Sequence, residues 1–337
     1  MNDFAPYSTF NLSAYRSGAL QVSHGANLGD ALSFADELVL DDTYFLKSNA
    51  LKARLSVVPG RTGAFTIAQR SDVGCAGAAL HLDSCLTFMS PDGRTTEMLV
   101  LVEVDEAGDV AEVYALPLSP LMAKTDLTLV GIDKESAHTK LAEIACVSFT
   151  SGTRITMATG EQRRVEDLRV GDRVLTRDDG PQVLRWVGQS TVRALGEFAP
   201  VLIKAGTMHN ADDLIVSPEH RLFVYQRTDE LGAGRAEVLI KARDLVNGRT
   251  VVQLDGGFVE YYQLLFDDHQ IIYAEGIAAE TLLADMRTSP ALPDELAKRL
   301  ETGALRHSDR SYLDFSLSTF ELAEGDVTQL LRRASTG

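Results

Sequence analysis

Alternating hydrophobic and polar positions dominate the first part of the chain and predict a series of β-strands. Turn-forming residues separate them, notably Ser90-Pro91-Asp92-Gly93 and Glu106-Ala107-Gly108-Asp109, where Gly or Asp tolerates the positive φ of a hairpin. We expect residues 1–140 to form a compact antiparallel β-domain, although residues 1 to about 25 are mixed and polar and fit a flexible lead or an edge strand. The predicted strands are 53–58, 64–68, 85–89, 97–104, 111–118 and 127–132.

Helical spacing of apolar residues occurs in three places. Leu28 to Leu40 has apolar residues at helical intervals, which predicts a packing helix. Residues 133–144 contain good helix formers and predict a short helix that leads into Cys146. Residues 287–337 form a predicted helical tail, with amphipathic segments at 292–300 and 327–333.

Strand patterns return after the central helix and define a second predicted domain, residues 146–286. Thr176-Arg177-Asp178-Asp179-Gly180 predicts a hairpin loop, residues 182–187 the strand after it, and Asn247-Gly248 another tight turn. The pattern therefore indicates a mainly β protein of two domains with a short helical tail.

Composition narrows the classes of function. The chain has 337 residues, of which 45% are hydrophobic, and a formal charge of -16, which argues against nucleic-acid binding because phosphates need clustered cations. No apolar run is long enough to cross a bilayer, so no membrane span is expected. The N-terminus lacks a secretory signal pattern, and we expect a cytoplasmic protein or one exported by a leaderless route.

Three cysteines do not make a disulfide framework. Cys75 and Cys85 are too far apart in sequence for a redox or zinc pair, and we expect both to be small core residues. Cys146 is different, because it directly precedes the predicted strands of the second domain. That position would present a thiol at the mouth of a small β-fold.

The stretch that Cys146 opens resembles the first block of the Hint family, the autoprocessing module shared by Hedgehog proteins, inteins and bacterial intein-like domains. In that family the first residue is Cys or Ser, and a Gly-Thr-x-Ile run follows closely, as Gly152-Thr153-Arg154-Ile155 does here. Residues 214–224 are similar to the second block, a strand with Thr-x-x-His, except that Ser217 replaces Thr. Residues 262–276 are similar to the late strand pair that closes the fold, which the resemblance implies is an all-β, horseshoe-like domain with pseudo-twofold symmetry.

The resemblance implies a specific reaction. Cys146 would attack the carbonyl carbon of Ala145 and convert the peptide bond into a thioester. His220 would donate a proton to the leaving nitrogen of Cys146, and Ser217 would orient the peptide bond. Because Pro218 cannot donate to a sheet ladder, residues 217–220 are expected to form a turn or bulge that points both side chains at one centre.

Later residues bear on how the reaction would end. His269, preceded by Asp267 and Asp268, falls where the family often has a group that acts on the thioester or its incoming nucleophile, and a carboxylate would orient the imidazole. No Asn follows Gly276, so splicing is not expected. The acceptor would be water, an amine or a thiol, and no cofactor is expected.

Two other interpretations stay open at this stage. The chain could be a Hint-fold binding or structural protein that has lost processing, which the Thr-to-Ser change and the missing Asn mildly favour. Alternatively, Cys146, His220 and His269 could form a zinc site, since these residue types are typical zinc ligands.

Overall fold

The computed structural model describes residues 10–59, 65–226, 236–285, 288–301 and 307. The chain divides into two compact units, Met1–Glu143 and Ile144–Gly337. Within the described residues the fold is mainly β with two α-helices, which confirms the predicted fold class.

The first unit is a nine-stranded antiparallel sheet in the order β2-β3-β9-β6-β5-β4-β1-β8-β7. An additional pairing of β6 with β7 joins the two ends of the series β6-β5-β4-β1-β8-β7 into a ring, and β9, β3 and β2 extend from β6. The strands are β1 (Phe10–Arg16), β2 (Leu20–His24), β3 (Thr43–Leu46), β4 (Ala53–Pro59), β5 (Phe65–Ile67), β6 (Ala79–Met89), β7 (Thr95–Val104), β8 (Val110–Pro117) and β9 (Leu127–Asp133).

All six strands predicted in this unit are present, and the hairpin turns are where the sequence placed them. Gly93 and Gly108 have φ angles of 80° and 89°, the left-handed region that glycine adopts without steric cost. Buried side chains from both halves of the sheet form one apolar core, which includes Leu20, Tyr44, Phe88, Met98, Val100 and Leu129.

Three expectations for this unit were incomplete or wrong. Residues 10–16 form β1, an interior strand between β4 and β8. No α-helix covers Leu28–Leu40; the segment is irregular except for a 3-10 turn at Ala35–Glu37, and Gly29 has a φ of 94°, which no helix contains. Cys85 is buried as expected, but Cys75 is exposed.

The second unit contains two antiparallel sheets. One has the order β15-β21-β10-β17-β16-β20; the other has the order β12-β11-β22-β23-β18-β19, with β13 pairing with β14 and β22. The strands are β10 (Phe149–Thr150), β11 (Arg154–Thr156), β12 (Gln162–Arg164), β13 (Arg173–Thr176), β14 (Gly180–Val183), β15 (Trp186–Arg193), β16 (Val201–Ile203), β17 (Leu214–Val216), β18 (Arg221–Tyr225), β19 (Glu237–Lys241), β20 (Val251–Gln253), β21 (Phe258–Leu265), β22 (Ile271–Ala274) and β23 (Ile277–Glu280).

Strand β10 is short but lies inside its sheet. Phe149 is opposite Val216 of β17 on one side and Tyr262 of β21 on the other. The Phe149 side chain is buried in the main core of this unit, beside Val216, Leu264 and Phe266. The residues just before β10 are therefore held against the ends of both neighbouring strands.

The helices agree in part with the prediction. Helix α1 (Ala137–Ala145) follows β9 in sequence, and α2 (Asp294–Glu301) matches the predicted segment at 292–300. The predicted helix at 327–333 lies outside the described residues. Gly248 has a φ of 70°, which confirms the Asn247-Gly248 turn. Among the described residues, no helix is both long and apolar enough to cross a membrane.

Gly25 offers a test of the first unit. Its φ is 127°, and a Cβ there would lie 2.9 Å from the Cα of Asp42, on top of a carboxylate that accepts hydrogen bonds from the amides of Ala26 and Asn27. We expect Gly25→Ala to lower the free energy of unfolding by more than about 2 kcal/mol in urea titrations. The control is Gly18→Ala, where a Cβ meets nothing within 4 Å; equal losses for both variants would contradict the argument.

Candidate functional site

The turn between β17 and β18 carries two of the predicted site residues. Strand β17 ends at Val216, and the amide of His220 donates to the carbonyl of Ser217 at 3.0 Å, which closes the turn around Pro218. Ser217 and His220 are both buried, with 6% and 0% of their surfaces exposed. The predicted turn is confirmed, and both side chains contact the same short segment of backbone.

That segment lies just before β10 and is centred on Ser148. The Ser217 hydroxyl accepts a hydrogen bond from the Ser148 amide at 3.0 Å and donates one to the carbonyl of Cys146 at 3.4 Å. The Ser217 amide donates to the carbonyl of Ser148 at 2.9 Å, and Nδ1 of His220 lies 3.1 Å from the same oxygen. Ser148 is thus contacted at both its nitrogen and its carbonyl.

Gln263 of β21 adds a third contact to Ser148. Its side-chain Nε2 donates to the Ser148 hydroxyl at 3.1 Å. Gln263 is opposite Gly188 of β15, and a Cβ at Gly188 would collide with the Gln263 amide oxygen and with the Trp186 ring. The absence of a side chain at Gly188 leaves the room that Gln263 occupies.

His220 lies between two carbonyl groups. Nδ1 faces the Ser148 oxygen, and Nε2 lies 3.0 Å from the backbone oxygen of Glu280. A neutral imidazole has a single N–H and donates to only one of them, whereas a protonated ring donates to both. Burial lowers the pKa of His220, and the nearby Glu280 carboxylate opposes that effect in part.

Glu280 belongs to a buried charged group beneath His220. Arg221 donates to the Glu280 carboxylate from its amide at 3.1 Å and from Nη1 at 3.1 and 3.2 Å. Burial by itself would raise the pKa of Glu280, but the Arg221 guanidinium and the His269 imidazole hold it below its usual value. Glu280 therefore carries a negative charge, and its backbone carbonyl positions the second nitrogen of His220.

His269 lies beside the Glu280 carboxylate. Its Nε2 lies 3.2 Å from the carbonyl of Thr281 and 3.6 Å from a Glu280 carboxylate oxygen. The expected carboxylate neighbours differ, since Asp267 is exposed and pairs with Arg185 at 2.6 and 2.8 Å. The carboxylate beside His269 is Glu280, which the sequence did not indicate.

Asp268 is half-buried, and its charge partly opposes the lowering of the His307 pKa that burial causes. The catalytic roles assigned to Asp268 and His269 stay predictions. Neither is among the side chains that contact Ser148 in the hydrogen bonds described above.

Cys146 has different surroundings from Ser148. Its peptide bond to Ala145 lies at the end of α1, and its side chain is 1% exposed. The role of Cys146 as a nucleophile stays a prediction. The buried apolar residues that cluster with it are Leu265, Leu282, Ala284 and Leu292, and Trp186 packs against them.

His307 was not singled out from the sequence. Its Nδ1 accepts a hydrogen bond from the Ala284 amide at 3.1 Å, so its Nε2 must be the protonated nitrogen that donates to the Phe266 carbonyl at 3.0 Å. Burial lowers the pKa of His307 to about 4, and the accepting role of Nδ1 likewise disfavours a second proton. His307 is a neutral structural residue.

The structure does not favour the zinc interpretation. Both ring nitrogens of His220 face carbonyl oxygens, so neither points at a metal position shared with Cys146 and His269. In the part of the chain that the structure describes, no group of three or more His, Cys, Asp or Glu side chains is arranged to hold a metal ion.

Ser148, Gln263 and Glu280 are the site residues that the sequence reasoning missed. Ser148 carried a signal, because it is a hydroxyl residue four positions before Gly152, inside the first block. Gln263 and Glu280 carried none, because their contacts with Ser148 and Arg221 join positions 115 and 59 residues apart.

Comparisons with known proteins identify a domain family. The family model described as the Hint domain matches residues 147–286, a range that includes Ser148, Ser217, His220 and Glu280. One similar solved structure is the crystal structure of the gp41-1 intein, with 14% identity, coverage of 39% of this chain and 96% of the intein chain, and a TM-score of 0.25. A search of curated proteins found no match.

The buried histidines predict a stability that falls in mild acid. The unfolded chain binds a proton at His307 near the ordinary value of 6.5, but the folded chain does so only near 4, so protonation favours unfolding in that window. His220 acts in the same direction. We expect His307→Gln, which can still accept and donate, to reduce the loss of unfolding free energy between about pH 7.5 and about pH 5 by about 2 kcal/mol.

The measurement is urea unfolding followed by the fluorescence of Trp186, the single tryptophan of the chain, which lies in the second unit. The difference between wild type and His307→Gln isolates this group from carboxylates that titrate in the same range. Equal pH dependence in both proteins would contradict the assignment of a neutral His307.

The Arg221–Glu280 pair predicts a second stability effect. We expect Glu280→Ala to lower the free energy of unfolding by about 3–5 kcal/mol, because it leaves the Arg221 guanidinium buried without its carboxylate. Asp267→Ala, which breaks the exposed pair with Arg185, serves as the control and should cost less than about 1 kcal/mol. Similar costs in urea unfolding would show that burial of the charge does not matter here.

Proposed function

Because residues 147–286 are a Hint domain, we propose that this protein cleaves its own backbone once, at the start of that domain, and releases the N-terminal unit. A side-chain nucleophile would convert a peptide bond into an ester or thioester. Water, an amine or a thiol would then resolve that intermediate. The observation that carries this proposal is the buried contact of Ser217 and His220 with residues 146–148.

These contacts suit the reaction because an amide resists attack unless its geometry and its leaving nitrogen are both controlled. Ser217 contacts an amide nitrogen and a carbonyl oxygen of this segment, and both contacts are shielded from water. In comparable sites, one oriented donor contributes roughly a hundred- to a thousandfold in rate. The His220 ring, which is buried against the Ser148 carbonyl, can donate or accept a proton in the same site.

The sequence assigns the nucleophile to Cys146 and the scissile bond to Ala145–Cys146. In that form of the proposal His220 donates a proton to the leaving nitrogen, and Ser217 orients the segment through the Cys146 carbonyl. His269, with Asp268 before it, would activate the incoming nucleophile. Glu280 would support this role, since its carboxylate lies 3.6 Å from His269.

A second function is favoured by one observation. The Cys146 side chain is 1% exposed, and burial away from water disfavours a thiolate. A Hint domain whose thiol is held in this way could bind a partner without cleaving the chain. Such a protein would remain intact under reducing and nucleophilic conditions.

The test is the denatured intact mass of freshly purified protein, followed over time with and without hydroxylamine or a small thiol. We expect two fragments that meet between residues 145 and 148, and at least a hundredfold slower cleavage in His220→Ala. His209→Ala alters an exposed histidine and should cleave at the wild-type rate. A single uncut mass in every condition would instead support the binding function.

A further inference from the structure

We propose that Ser148, and not Cys146, supplies the attacking group, so that the bond broken is Val147–Ser148. This inference rests on the proposed self-cleavage and changes its nucleophile, its intermediate and its products. It follows from the buried side chains of Ser217, His220 and Gln263, which all contact Ser148.

The site holds the amide nitrogen of Ser148. A self-cleaving site must control the amide nitrogen of the residue that attacks, because that nitrogen becomes the leaving amine. The Ser217 hydroxyl lies 3.0 Å from the nitrogen of Ser148. Its contact with Cys146 is made to the carbonyl oxygen, at 3.4 Å, and that carbonyl belongs to the following peptide bond, not to Ala145–Cys146.

The Ser148 hydroxyl, which would attack, is also held by a side chain. The Ser148 hydroxyl is 2% exposed and accepts a hydrogen bond from Gln263 at 3.1 Å, which orients its oxygen. The hydroxyl is thus held by one polar partner and is shielded from solvent. The Cys146 side chain is also buried, in an apolar cluster with Leu265 and Leu282 that Trp186 packs against.

The backbone that follows the Val147–Ser148 bond is fixed as well. The carbonyl of Ser148 receives the Ser217 amide at 2.9 Å and lies 3.1 Å from Nδ1 of His220. Phe149 is then paired with strands on both sides. Ser148 is therefore held at its nitrogen, its hydroxyl and its carbonyl, which favours an intramolecular attack.

The reaction balances with the groups present and one water molecule. The Ser148 hydroxyl oxygen bonds to the carbonyl carbon of Val147 and forms a small cyclic intermediate. The carbon–nitrogen bond to Ser148 then breaks, and the hydroxyl proton passes to that nitrogen, for which the adjacent Ser217 hydroxyl is a relay. The product is an ester between Val147 and the Ser148 oxygen, with a free amine at position 148.

Water hydrolyses this ester to a carboxylic acid at Val147 and restores the hydroxyl of Ser148. His220 and Gln263 are positioning residues in this scheme, since they hold the carbonyl and the hydroxyl of Ser148. The released N-terminal fragment keeps Cys146 as its penultimate residue. No thioester forms in the wild-type protein.

The experiment compares fragment masses from full-length wild type, Ser148→Ala, Ser148→Cys and Cys146→Ala. We expect wild type and Cys146→Ala to give fragments 1–147 and 148–337 at similar rates, and Ser148→Ala to give none. Ser148→Cys should restore cleavage at the same bond, and added thiol should now accelerate it and appear as an adduct on Val147. Urea unfolding checks that Ser148→Ala is folded.

Each other outcome is decisive. Fragments that end at Ala145, or their loss in Cys146→Ala alone, would overturn this inference while the self-cleavage proposal stands. An uncut wild type with a Ser148→Cys variant that thiol does cut would still place the attacking atom at position 148. An intact mass for wild type and Ser148→Cys in hydroxylamine and in thiol would overturn both proposals.

Gln263→Ala tests the positioning of the hydroxyl. We expect cleavage about tenfold to a hundredfold slower, with the cut still at Val147–Ser148. Gln253→Ala, at an exposed glutamine of β20, is the control and should have no effect on the rate. An unchanged rate in Gln263→Ala would show that its hydrogen bond to Ser148 has no part in the reaction.

Discussion

The hydrogen bond from the Ser148 amide to the Ser217 hydroxyl sets how the chain enters the Hint domain. A buried amide must have a partner, and β10 begins only at Phe149, so a side chain supplies the acceptor. Pro218 ends the β17 ladder just beyond Ser217 and allows the chain to turn toward His220. One local interruption of a strand thus creates the contacts that hold Ser148.

The charges beneath this turn have a structural part in the site. The Glu280 carboxylate is held by Arg221, while the Glu280 carbonyl faces His220, so one residue ties the position of the imidazole to a buried ion pair. Buried ion pairs add little net stability compared with apolar packing, but breaking one is costly. The arrangement therefore fixes orientation more than it stabilises the fold.

Local patterns were sufficient for much of the fold. The strands between residues 53 and 133 are apolar or alternating runs, and glycine at a positive φ marks the turns after β6 and β7. Strand β1 was not predicted as an interior strand, because residues 1 to about 25 are mixed and polar and its partners β4 and β8 are distant in the chain. The prediction of a helix at Leu28–Leu40 was wrong because the segment is irregular. Its apolar residues do not share one buried face, since Leu32 is buried while Leu28 and Leu40 are exposed.

The sequence by itself determined that the second half carries a Hint-type domain and that residues 217–220 form a turn, and it predicted a nucleophile just before β10. The sequence pointed to Cys146 alone and did not single out Ser148, two positions later. Only the tertiary structure brings Ser217, His220 and Gln263 together around Ser148, because those contacts join residues 69, 72 and 115 positions apart. Alternation and turn chemistry act over a few neighbouring residues, whereas the surroundings of a buried side chain depend on strands that are distant in the chain.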